Sequence, residues 1–555
     1  MNKNIGIIAP MFEESRAQRN YLLRLKKDNR ELTLKALHEL CSNSYNVDKV
    51  LSGLAQEETL IPGSGYYLTG LLRAKGYNTT LAYLVDEKSL RPIVEADPMA
   101  VCISTSLIWT LESLEKIVNE VRRLLPGTKI ILGGTFVWKS YQWDLLVQKD
   151  PGMTSNEYYS MDKKYFMFQC DKSEIDTDII VASPHGGNIL LDILKELSRG
   201  SKADFQSIPN LALPNEKGKF VFTKRIDEKI DYNNDYTRWD LVDELKDPIP
   251  IRTSIGCPYR CGFCDFCTLY PKIFLRSTES LKTELKMVHA RGARMIYAAD
   301  DNTFFSSKRI NEICSAFIDS GTGLLWLGLL RASSINPYSI ALIKESGLIH
   351  SNIGLESGDQ GQLDNMNKRL NLEEARTGIE TLDHAGIAML LNMVVGFPGE
   401  TEQTVENTGN FLNSLDITFS LCGFFIYRLN VFPMSQISLM ENRKKWDLYG
   451  LMDQWSHRTM NSEQALTQCF KLFKQVTNIP YNYLNDLDYF IVSLGAEKRR
   501  KLFRLRHQLT LSLMEQKPWG NTAQIFADIC ETFKLPPAFP PVDLKDQLII
   551  PRIDE

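Results

Sequence analysis

The chain has 555 residues, of which 43% are hydrophobic and 24% charged, and its formal net charge is −4. This composition predicts a large folded protein of roughly two to four domains and excludes the global basic field that binds nucleic acid. The longest apolar run, near residues 388–397, is too short to span a membrane, and eleven mostly scattered cysteines indicate reduced thiols in the cytoplasm.

Strand-like and helix-like segments alternate over the first 200 residues. The strand-like segments are 5–9, 79–84, 100–104, 129–134 and 178–182, and the helix-like segments are 66–75, 111–125 and 188–198. These βα units predict a doubly wound, flavodoxin- or Rossmann-like parallel sheet in an α/β domain over residues 1–200. Ligands of such sheets bind beyond the carboxyl ends of the strands. The candidate positions there are Thr105, Ser106, Gly133, Gly134, Thr135 and Gly186.

Two further segments of the N-terminal half are less regular. A charged insertion occupies residues 11–62, and we predict only a short helix within it, at residues 34–40. Residues 201–245 are expected to form a linker with hairpin character around residues 219–222. We interpret His185, in the turn before the last helix-like segment, first as a loop histidine and second as a cofactor contact.

From residue 249 six further βα units follow. Their strands are expected at residues 249–255, 294–298, 324–330, 351–355, 389–395 and 421–428. They predict a partial (β/α)6 barrel of the TIM type over residues 246–440, with its chemistry at the carboxyl ends of the strands. Residues 441–555 are expected to form a mostly helical, substrate-closing region, in which His457 is more simply a satisfied surface histidine than a substrate contact.

Polar clusters end the barrel strands at residues 300–303, 331, 354–358 and 396–400. A carboxylate such as Glu356 can accept hydrogen bonds from an amine or ribose, and Arg331 can pair with a ligand carboxylate. Two alternatives stay open at these positions. Asp300 and Asp301 could cap the next helix, and Arg331 could form a structural ion pair.

A cysteine cluster directly after the first barrel strand is the most informative motif. Cys257, Cys261 and Cys264 have the spacing C-x3-C-x2-C. Three thiolates on one loop can hold three irons of a [4Fe–4S] cube, which leaves the fourth iron open to a non-protein ligand. Structural zinc would need a fourth ligand. A ferredoxin register through Cys267 would need another nearby cysteine, but the next one, Cys314, lies in a helix-like stretch, so we interpret Cys267 as a flanking thiol.

This loop resembles that of the radical S-adenosylmethionine (SAM) superfamily, which reads C-x3-C-x-aromatic-C and has its aromatic residue here in Phe263. The resemblance implies a SAM site at the mouth of the barrel, with Gly396 and Gly399 giving backbone access to the adenine. The residues it assigns to SAM are Phe263, Asp301, Arg331, Glu356, Ser357, Gly396 and Pro398.

The N-terminal region resembles the cobalamin-binding domain that is often fused to radical SAM cores. The matching segments are 65–70, 132–135 and 183–187. The D-x-H-x-x-G signature that supplies a lower axial histidine is absent, which implies cobalamin bound base-off without a histidine below. A sheet domain with a purely structural role is the alternative.

The two resemblances together imply a cobalamin-dependent radical SAM enzyme with a [4Fe–4S] cluster, SAM and cobalamin as cofactors. The expected reaction is C-methylation of an unactivated carbon of a small molecule or natural product through a 5′-deoxyadenosyl radical. The expected partner is an external one-electron reductant of the flavodoxin or ferredoxin type. The alternatives are a radical SAM cyclase or rearrangement enzyme without net methyl transfer, and an iron–sulfur electron-transfer or sensor module.

Overall fold

The structure is a computed structural model that describes residues 2–10, 62–149, 165–419, 421–481, 496–515 and 519–534, with isolated positions between 23 and 41 and at 158. Most of the charged insertion, including most of the helix predicted at residues 34–40, lies outside the described residues. Within these ranges, no helix combines the length and the apolar character that crossing a bilayer requires.

The N-terminal domain is built on a seven-stranded sheet. The strands up to this point of the chain are β1 (Asn4–Ile8), β2 (Lys26–Lys27), β3 (Arg30–Glu31), β4 (Asn78–Ala82), β5 (Ala100–Ser104), β6 (Lys129–Gly133), β7 (Ile179–Val181), β8 (Leu211–Pro214) and β9 (Phe220–Phe222). The helices are α1 (Gly63–Ala74), α2 (Glu87–Glu95), α3 (Leu111–Leu124), α4 (Thr135–Lys149) and α5 (Gly187–Leu197). The strand order is β4-β1-β5-β6-β7-β8-β9, while β2 and β3 form a separate hairpin. The predicted doubly wound α/β sheet is confirmed.

The sheet extends beyond residue 200 into the segment predicted as a linker. β1, β4, β5, β6 and β7 pair in parallel, whereas β8 pairs antiparallel to β7 and β9 antiparallel to β8. Leu211 and Ala212 on β8 are fully buried. The hairpin predicted near residues 219–222 therefore covers the edge of β7, whose backbone groups would otherwise lack partners.

The second domain contains the six-stranded parallel sheet of the predicted barrel. Its strands are β10 (Ile249–Ile251), β13 (Met295–Ala298), β14 (Leu325–Leu330), β15 (Leu348–Glu356), β16 (Ala388–Val395) and β17 (Cys422–Arg428), in that order, with a small pair β11 (Ser254–Ile255) and β12 (Phe274–Leu275) beside it. The helices are α6 (Phe266–Leu269), α7 (Thr278–Ala290), α8 (Ser307–Ser320), α9 (Ile340–Glu345), α10 (Gln360–Asn365), α11 (Leu372–His384) and α12 (Glu402–Asn413). Among the described residues no pairing joins β10 to β17, so the sheet is a partial barrel.

The C-terminal region is mostly helical, as predicted. It contains α13 (Met440–Trp446), α14 (Ser462–Gln475), α15 (Ala496–Met514) and α16 (Trp519–Phe533), with a small antiparallel sheet of β18 (Tyr449–Leu451), β19 (Gln454–His457) and β20 (Met460–Asn461). This small sheet lies against the barrel mouth, because the Nε2 atom of His457 lies 2.9 Å from the carbonyl oxygen of Gly396. His457 is buried and hydrogen-bonded, so it is satisfied, although not on the surface.

Candidate cofactor-binding site

The cysteine loop is closed at its base by a short antiparallel pairing. Ser254 pairs with Leu275 and Ile255 with Phe274, which brings the two ends of the loop together. Gly256 begins the loop at a φ of +84°, where a Cβ atom would lie 2.6 Å from the carbonyl oxygen of Lys272. Glycine is therefore required at this turn by both its conformation and the close backbone approach.

Backbone contacts from the barrel hold the far side of the loop. The Gly262 amide donates to the carbonyl of Met366 at 2.7 Å, and the carbonyl of Gly262 accepts from the amide of Ile437 at 2.9 Å. The side-chain amide of Asn367 donates to the Arg260 carbonyl at 2.8 Å. The loop is therefore positioned through its main chain, and its cysteine side chains are not needed to hold it.

The three cysteines supply thiol donors on one short, fixed loop. Cys261 is buried, Cys257 and Cys264 are half-buried, and burial raises the pKa of the Cys257 and Cys264 thiols. Over the described ranges no three His, Cys, Asp or Glu side chains converge on a single metal ion. An iron–sulfur cube binds each cysteine at a different iron, so three separated thiols on one loop fit it chemically.

Cys267 lies on α6, next to this loop. It is buried, and its Sγ atom lies 3.6 Å from the carbonyl oxygen of Cys264. This contact matches a flanking thiol; the assignment of Cys257, Cys261 and Cys264 as ligands stays a prediction.

The two aspartates after β13 shape the start of the loop instead of capping α8. Asp300 accepts hydrogen bonds from the amides of Thr253 at 2.7 Å and Ser254 at 2.9 Å, and Asp301 accepts from the Gly256 amide at 2.9 Å. The capping side chain of α8 is that of Ser306. The helix-cap alternative for both aspartates is therefore wrong, because backbone amides of the cysteine loop compete for their carboxylates.

Glu356 ends β15 and forms a buried ion pair. Its Oε1 atom lies 2.7 Å from Nζ of Lys368, and each side chain is 9% exposed. Burial disfavours the ammonium, but Glu356 and the nearby Cys261 thiol outweigh it and raise the pKa of Lys368 above its usual value. The Lys368 ammonium also lies 5.8 Å from the ring centre of Phe263. A positive charge therefore lies between Glu356 and the cysteine loop.

Arg331 follows β14 and contacts backbone carbonyls and an aromatic ring, and no carboxylate of the described residues pairs with it. Its guanidinium donates to the carbonyls of Lys368 and Arg369 and stacks on Tyr259 of the cysteine loop, 3.9 Å from the ring centre. Its buried Nε atom has no partner among the described residues. The structural contacts of Arg331 are therefore two backbone carbonyls and an aromatic ring, instead of the ion pair that the alternative predicted. Its predicted contact with SAM stays a prediction.

Ser357 and Gly396, which are also predicted to contact SAM, form hydrogen bonds within the protein. The Ser357 hydroxyl lies 3.1 Å from that of Thr408, and the Gly396 amide donates to the Glu400 carboxylate. Gly396 has a φ of +100°, and a Cβ there would lie 2.6 Å from the Trp455 ring. Pro398 is buried in the same turn. The absence of a side chain at Gly396 thus leaves room for the Trp455 ring. That backbone groups of this turn contact the adenine of SAM stays a prediction.

At the edge of the N-terminal sheet, the predicted residues do meet. The Thr105 amide and hydroxyl donate to the Gly133 carbonyl at 2.7 and 2.9 Å. Gly134 has a φ of +114°, and a Cβ there would lie 2.9 Å from the amide nitrogen of Ser106. The loops after β5 and β6 thus form a compact edge of small residues, at which α4 begins with Thr135.

His185 lies beside this edge, before Gly186 and α5. Its Nε2 atom lies 2.6 Å from the hydroxyl of Tyr232, and burial, assisted by the charge of Arg252, lowers its pKa to about 4. Gly186 adopts a φ of +64°. His185 is therefore a neutral, hydrogen-bonded histidine, as expected for a loop residue.

The N-terminal edge faces the cysteine loop of the barrel. Lys139 on α4 forms an ion pair of 2.7 Å with Asp265, the residue after Cys264, and its ammonium lies 4.8 Å from the ring centre of Trp109 and 5.2 Å from that of Phe432. The two predicted cofactor sites therefore adjoin each other.

Two hydrogen bonds reinforce this junction. The indole nitrogen of Trp138 donates to the Leu269 carbonyl at 3.3 Å, and the side chains of Thr135 and Tyr270 share a hydrogen bond. One segment, residues 264–270, thus connects the cysteine loop with the start of α4.

Sequence reasoning missed the residues that join these parts. Lys139, Asp265 and Lys368 carry no motif, and their partners lie on other elements. Only Lys368 could have been suspected from the sequence. The Glu356 carboxylate at the end of a buried strand requires a cation or hydrogen-bond donors nearby, and Lys368 is a nearby cation.

Residues 251–412 match the family model described as the radical SAM superfamily. This segment contains the cysteine loop and most of the six-stranded sheet, so the chain carries a radical SAM domain and the identification from sequence is confirmed.

Known proteins resemble more of the chain. The anaerobic magnesium-protoporphyrin IX monomethyl ester cyclase of Rubrivivax gelatinosus is 24% identical over 62% of this chain and 60% of that protein. The radical SAM methyltransferase TsrM from Kitasatospora setae, solved with cobalamin and a [4Fe–4S] cluster, aligns with a TM-score of 0.53 and 16% identity over 80% of this chain and 75% of TsrM. The cobalamin-dependent radical enzyme OxsB aligns with a TM-score of 0.57 and 12% identity over 96% of this chain and 76% of OxsB.

At these identities the solved structures establish a shared fold. The chain covers less than two thirds of the length of the cyclases, 60% and 54% of the two that match it. The N-terminal sheet followed by a radical SAM barrel is thus the arrangement of known cobalamin-dependent enzymes.

Proposed function

We propose that this protein is a cobalamin-dependent radical SAM C-methyltransferase that acts on an unactivated carbon of a small-molecule substrate. The observation that carries the proposal is the junction between α4 and the segment 264–270. Through this junction, the N-terminal edge formed by the loops after β5 and β6 faces the cysteine loop of the radical SAM domain. A methyl donor and a radical generator must both reach one substrate carbon, and this arrangement allows it.

When bound, the cluster would supply the electron that cleaves SAM, and cobalamin would supply the methyl group. The residues of the chain would position these groups and exclude water. Cys257, Cys261 and Cys264 would ligate three irons from a loop whose main chain is already fixed. Asp300 and Asp301 hold the start of that loop.

The polar end of SAM would lie near the Glu356–Lys368 pair. Lys368 offers an ammonium close to the cysteine loop, where a ligand carboxylate would gain a charge-assisted hydrogen bond. Glu356 would then be shared between Lys368 and an amine or hydroxyl of the ligand. This assignment gives both members of the pair a role in binding.

On the other side of the junction, the small residues Thr105, Ser106, Gly133 and Gly134 would line the cobalamin face. Tyr232 already holds the ring of His185. Base-off binding without an axial histidine therefore remains part of the proposal.

The cluster assignment can be tested with single cysteine variants of the full chain, purified and reconstituted without oxygen. Cys257→Ala, Cys261→Ala and Cys264→Ala should each lose most of the iron and form no 5′-deoxyadenosine from SAM. Cys267→Ala is the matched control, because it removes a neighbouring thiol of the same loop region and should keep its iron. Loss of the cluster in Cys267→Ala with retention in Cys257→Ala would establish the ferredoxin register instead.

The cobalamin assignment is tested by the absorption and electron paramagnetic resonance spectra of the purified chain. Bound cob(II)alamin should lack nitrogen hyperfine splitting from a protein histidine. A chain that binds no cobalamin would rule out methyl transfer, whereas histidine splitting would contradict only the base-off assignment.

A radical SAM cyclase without methyl transfer is the second candidate, favoured by the two cyclases that match 62% of the chain. The products formed from SAM distinguish the methyltransferase from the cyclase. Each methylation consumes two SAM molecules and leaves one 5′-deoxyadenosine and one S-adenosylhomocysteine. A cyclisation that consumes SAM only for its radical leaves no S-adenosylhomocysteine, and that result would refute the methyltransferase.

A further inference from the structure

The pairing register defines which side chains point into the barrel. Trp326 on β14 stacks on Phe317 of the outer helix α8, with ring centres 4.9 Å apart, so it points outward. Successive side chains of a strand point to opposite faces, and the next inward position, Leu327, pairs with His350. From His350 to Gly354, every second residue of β15 therefore faces the interior, and a register shift between Gly354 and Glu356 ends this alternation.

The inward positions of β15 are His350, Asn352 and Gly354. Beyond the register shift the Glu356 carboxylate lies on the same side, because a Cβ added to Gly354 would meet it. On the neighbouring strand β16, Asn392 pairs with Gly354 and therefore also faces inward. A Cβ added to Gly354 would lie 2.9 Å from Nζ of Lys368, so the two asparagines lie directly below the Glu356–Lys368 pair. With about 3.3 Å of rise per residue, Asn352 is roughly 13 Å below Glu356 along the strand and Asn392 lies between them.

Several polar atoms of these inward side chains lack partners, although the amide nitrogen of Asn392 donates to the Ile353 carbonyl at 3.4 Å. The side-chain oxygens of Asn352 and Asn392 and both ring nitrogens of His350 are buried and make no hydrogen bond within the described part of the chain. Burial lowers the pKa of His350 to about 4, so near neutral pH its ring is uncharged and offers one donor and one acceptor. Buried polar atoms in folded proteins are nearly always paired, and leaving them unpaired is unfavourable.

The outward face of the same strands packs mainly with apolar side chains such as Ile353 and its pairing partner Leu391, both 0% exposed. The polar residues are thus concentrated on the face that encloses the barrel interior. Two acceptors there, on neighbouring strands and two residues apart in the pairing register, suit a ligand that donates hydrogen bonds.

We infer that the barrel interior binds the substrate through Asn352 and Asn392, and that the substrate carries a hydrogen-bond-donating group, a hydroxyl, amine or amide. This inference rests on the proposed function, since it places the substrate beneath the SAM site. Asn352 and Asn392 are then specificity-determining residues, and a purely hydrocarbon substrate is excluded because it would leave both acceptors unpaired.

The test compares two probes of nearly the same shape, cyclohexanol and cyclohexane. Their binding to the anaerobic, cluster-loaded full chain is measured by ligand-observed nuclear magnetic resonance. The native protein should bind cyclohexanol more tightly. Asn392→Leu should weaken cyclohexanol about tenfold, as the loss of one hydrogen bond to a ligand predicts, and should strengthen cyclohexane. Asn352→Leu should act in the same direction.

Ser351→Ala is the matched control, because Ser351 is a neighbour on β15 that is fully buried, faces outward and has an unpartnered hydroxyl. It should leave both affinities unchanged. The melting temperatures of Asn352→Leu and Ser351→Ala are expected to equal or exceed that of the native chain, since each removes an unpaired polar atom, whereas Asn392→Leu also removes the hydrogen bond to the Ile353 carbonyl. If a leucine variant does not fold, Asn392→Ala and Asn352→Ala provide the same comparison, because alanine removes the acceptor without adding volume.

Equal binding of the two probes to the native chain, or unchanged cyclohexanol affinity in both asparagine variants, would overturn the inference. A lower melting temperature of the asparagine variants with unchanged probe affinity would also overturn it, because the asparagines would then be structural. The probe measurements need no turnover. Failure of the proposed function would appear separately, as native protein that binds the probes but forms no 5′-deoxyadenosine.

Discussion

Replacing Glu356 by glutamine tests the buried ion pair at the mouth of the barrel. Both side chains of the pair are 9% exposed and their charged atoms lie 2.7 Å apart. Removing one partner of such a pair leaves a buried, uncompensated charge, which destabilises proteins by roughly 3–5 kcal/mol. For a unit of the size of this barrel, 1 kcal/mol corresponds to roughly 2–4 °C. Glu356→Gln should therefore lower the melting temperature of the barrel by about 10 °C.

The double variant separates the pair from its surroundings. Glu356→Gln with Lys368→Met removes both charges and should recover most of the lost stability, because no buried charge remains. Glu279→Gln is the matched control. It breaks the Lys282–Glu279 pair, whose N–O distance is 2.9 Å but whose glutamate is 81% exposed, and it should change the melting temperature by less than about 2 °C.

Differential scanning calorimetry and a SAM binding isotherm on the same samples give the result. Glu356→Gln should also weaken SAM binding roughly tenfold to a hundredfold, through the loss of a charge-assisted hydrogen bond. A single variant that melts like the native chain, or a double variant less stable than either single one, would refute the reasoning about the pair. Unchanged SAM affinity in folded Glu356→Gln would refute only the contact with SAM.

Three further outcomes are expected. Burial raises the pKa of Glu400 to about 8, although its carboxylate accepts a hydrogen bond from the Gly396 amide. Because the folded state then retains a proton that the unfolded chain loses, the free energy of unfolding should fall between about pH 4.5 and 8, by at most roughly 1.4 kcal/mol per pH unit. The free energy of urea unfolding of Glu400→Gln should therefore depend less on pH than that of the native chain. Burial lowers the pKa of His185 to about 4, so the free energy of unfolding should decrease as the pH falls from about 6.5 to 4. His185→Gln should remove that part of the decrease. If the free energy of His185→Gln depended on pH as that of the native chain does, His185 would not be buried as a neutral group. Gly256→Ala should lower the iron bound after reconstitution, because its Cβ would lie 2.6 Å from the Lys272 carbonyl; full iron content would show that the turn can relax.

Much of the fold was predictable because its signals are local. Each parallel strand is a short apolar run bounded by turn residues, and β5 is buried at all five positions, so periodicity and length locate it. The helix that follows Gly134 begins where the sequence predicted a strand end. The edge formed by Thr105 and Gly133 was also predictable, since the carboxyl ends of neighbouring parallel strands meet.

The contacts that decide the site were not predictable, because they join residues distant in sequence. Nothing local to Lys139 points to Asp265, 126 positions later by their numbers. The backbone carbonyls of Lys368 and Arg369 that Arg331 binds are likewise distant from it in sequence. Asn352 and Asn392 lie inside runs that read as apolar strands. Only the register shows that both point into the barrel.

The segment 264–270 is also a thermodynamic link between the two edges. It begins at Cys264, holds Lys139 through Asp265 and contacts α4 again through Leu269. Through these contacts, a ligand at the N-terminal edge that displaced α4 would act on this segment, and a cluster that displaced the segment would act on α4. Coupling free energies are reciprocal, so each ligand alters the affinity of the other by the same factor. Loading the chain with either cofactor first should lead to the same final affinities.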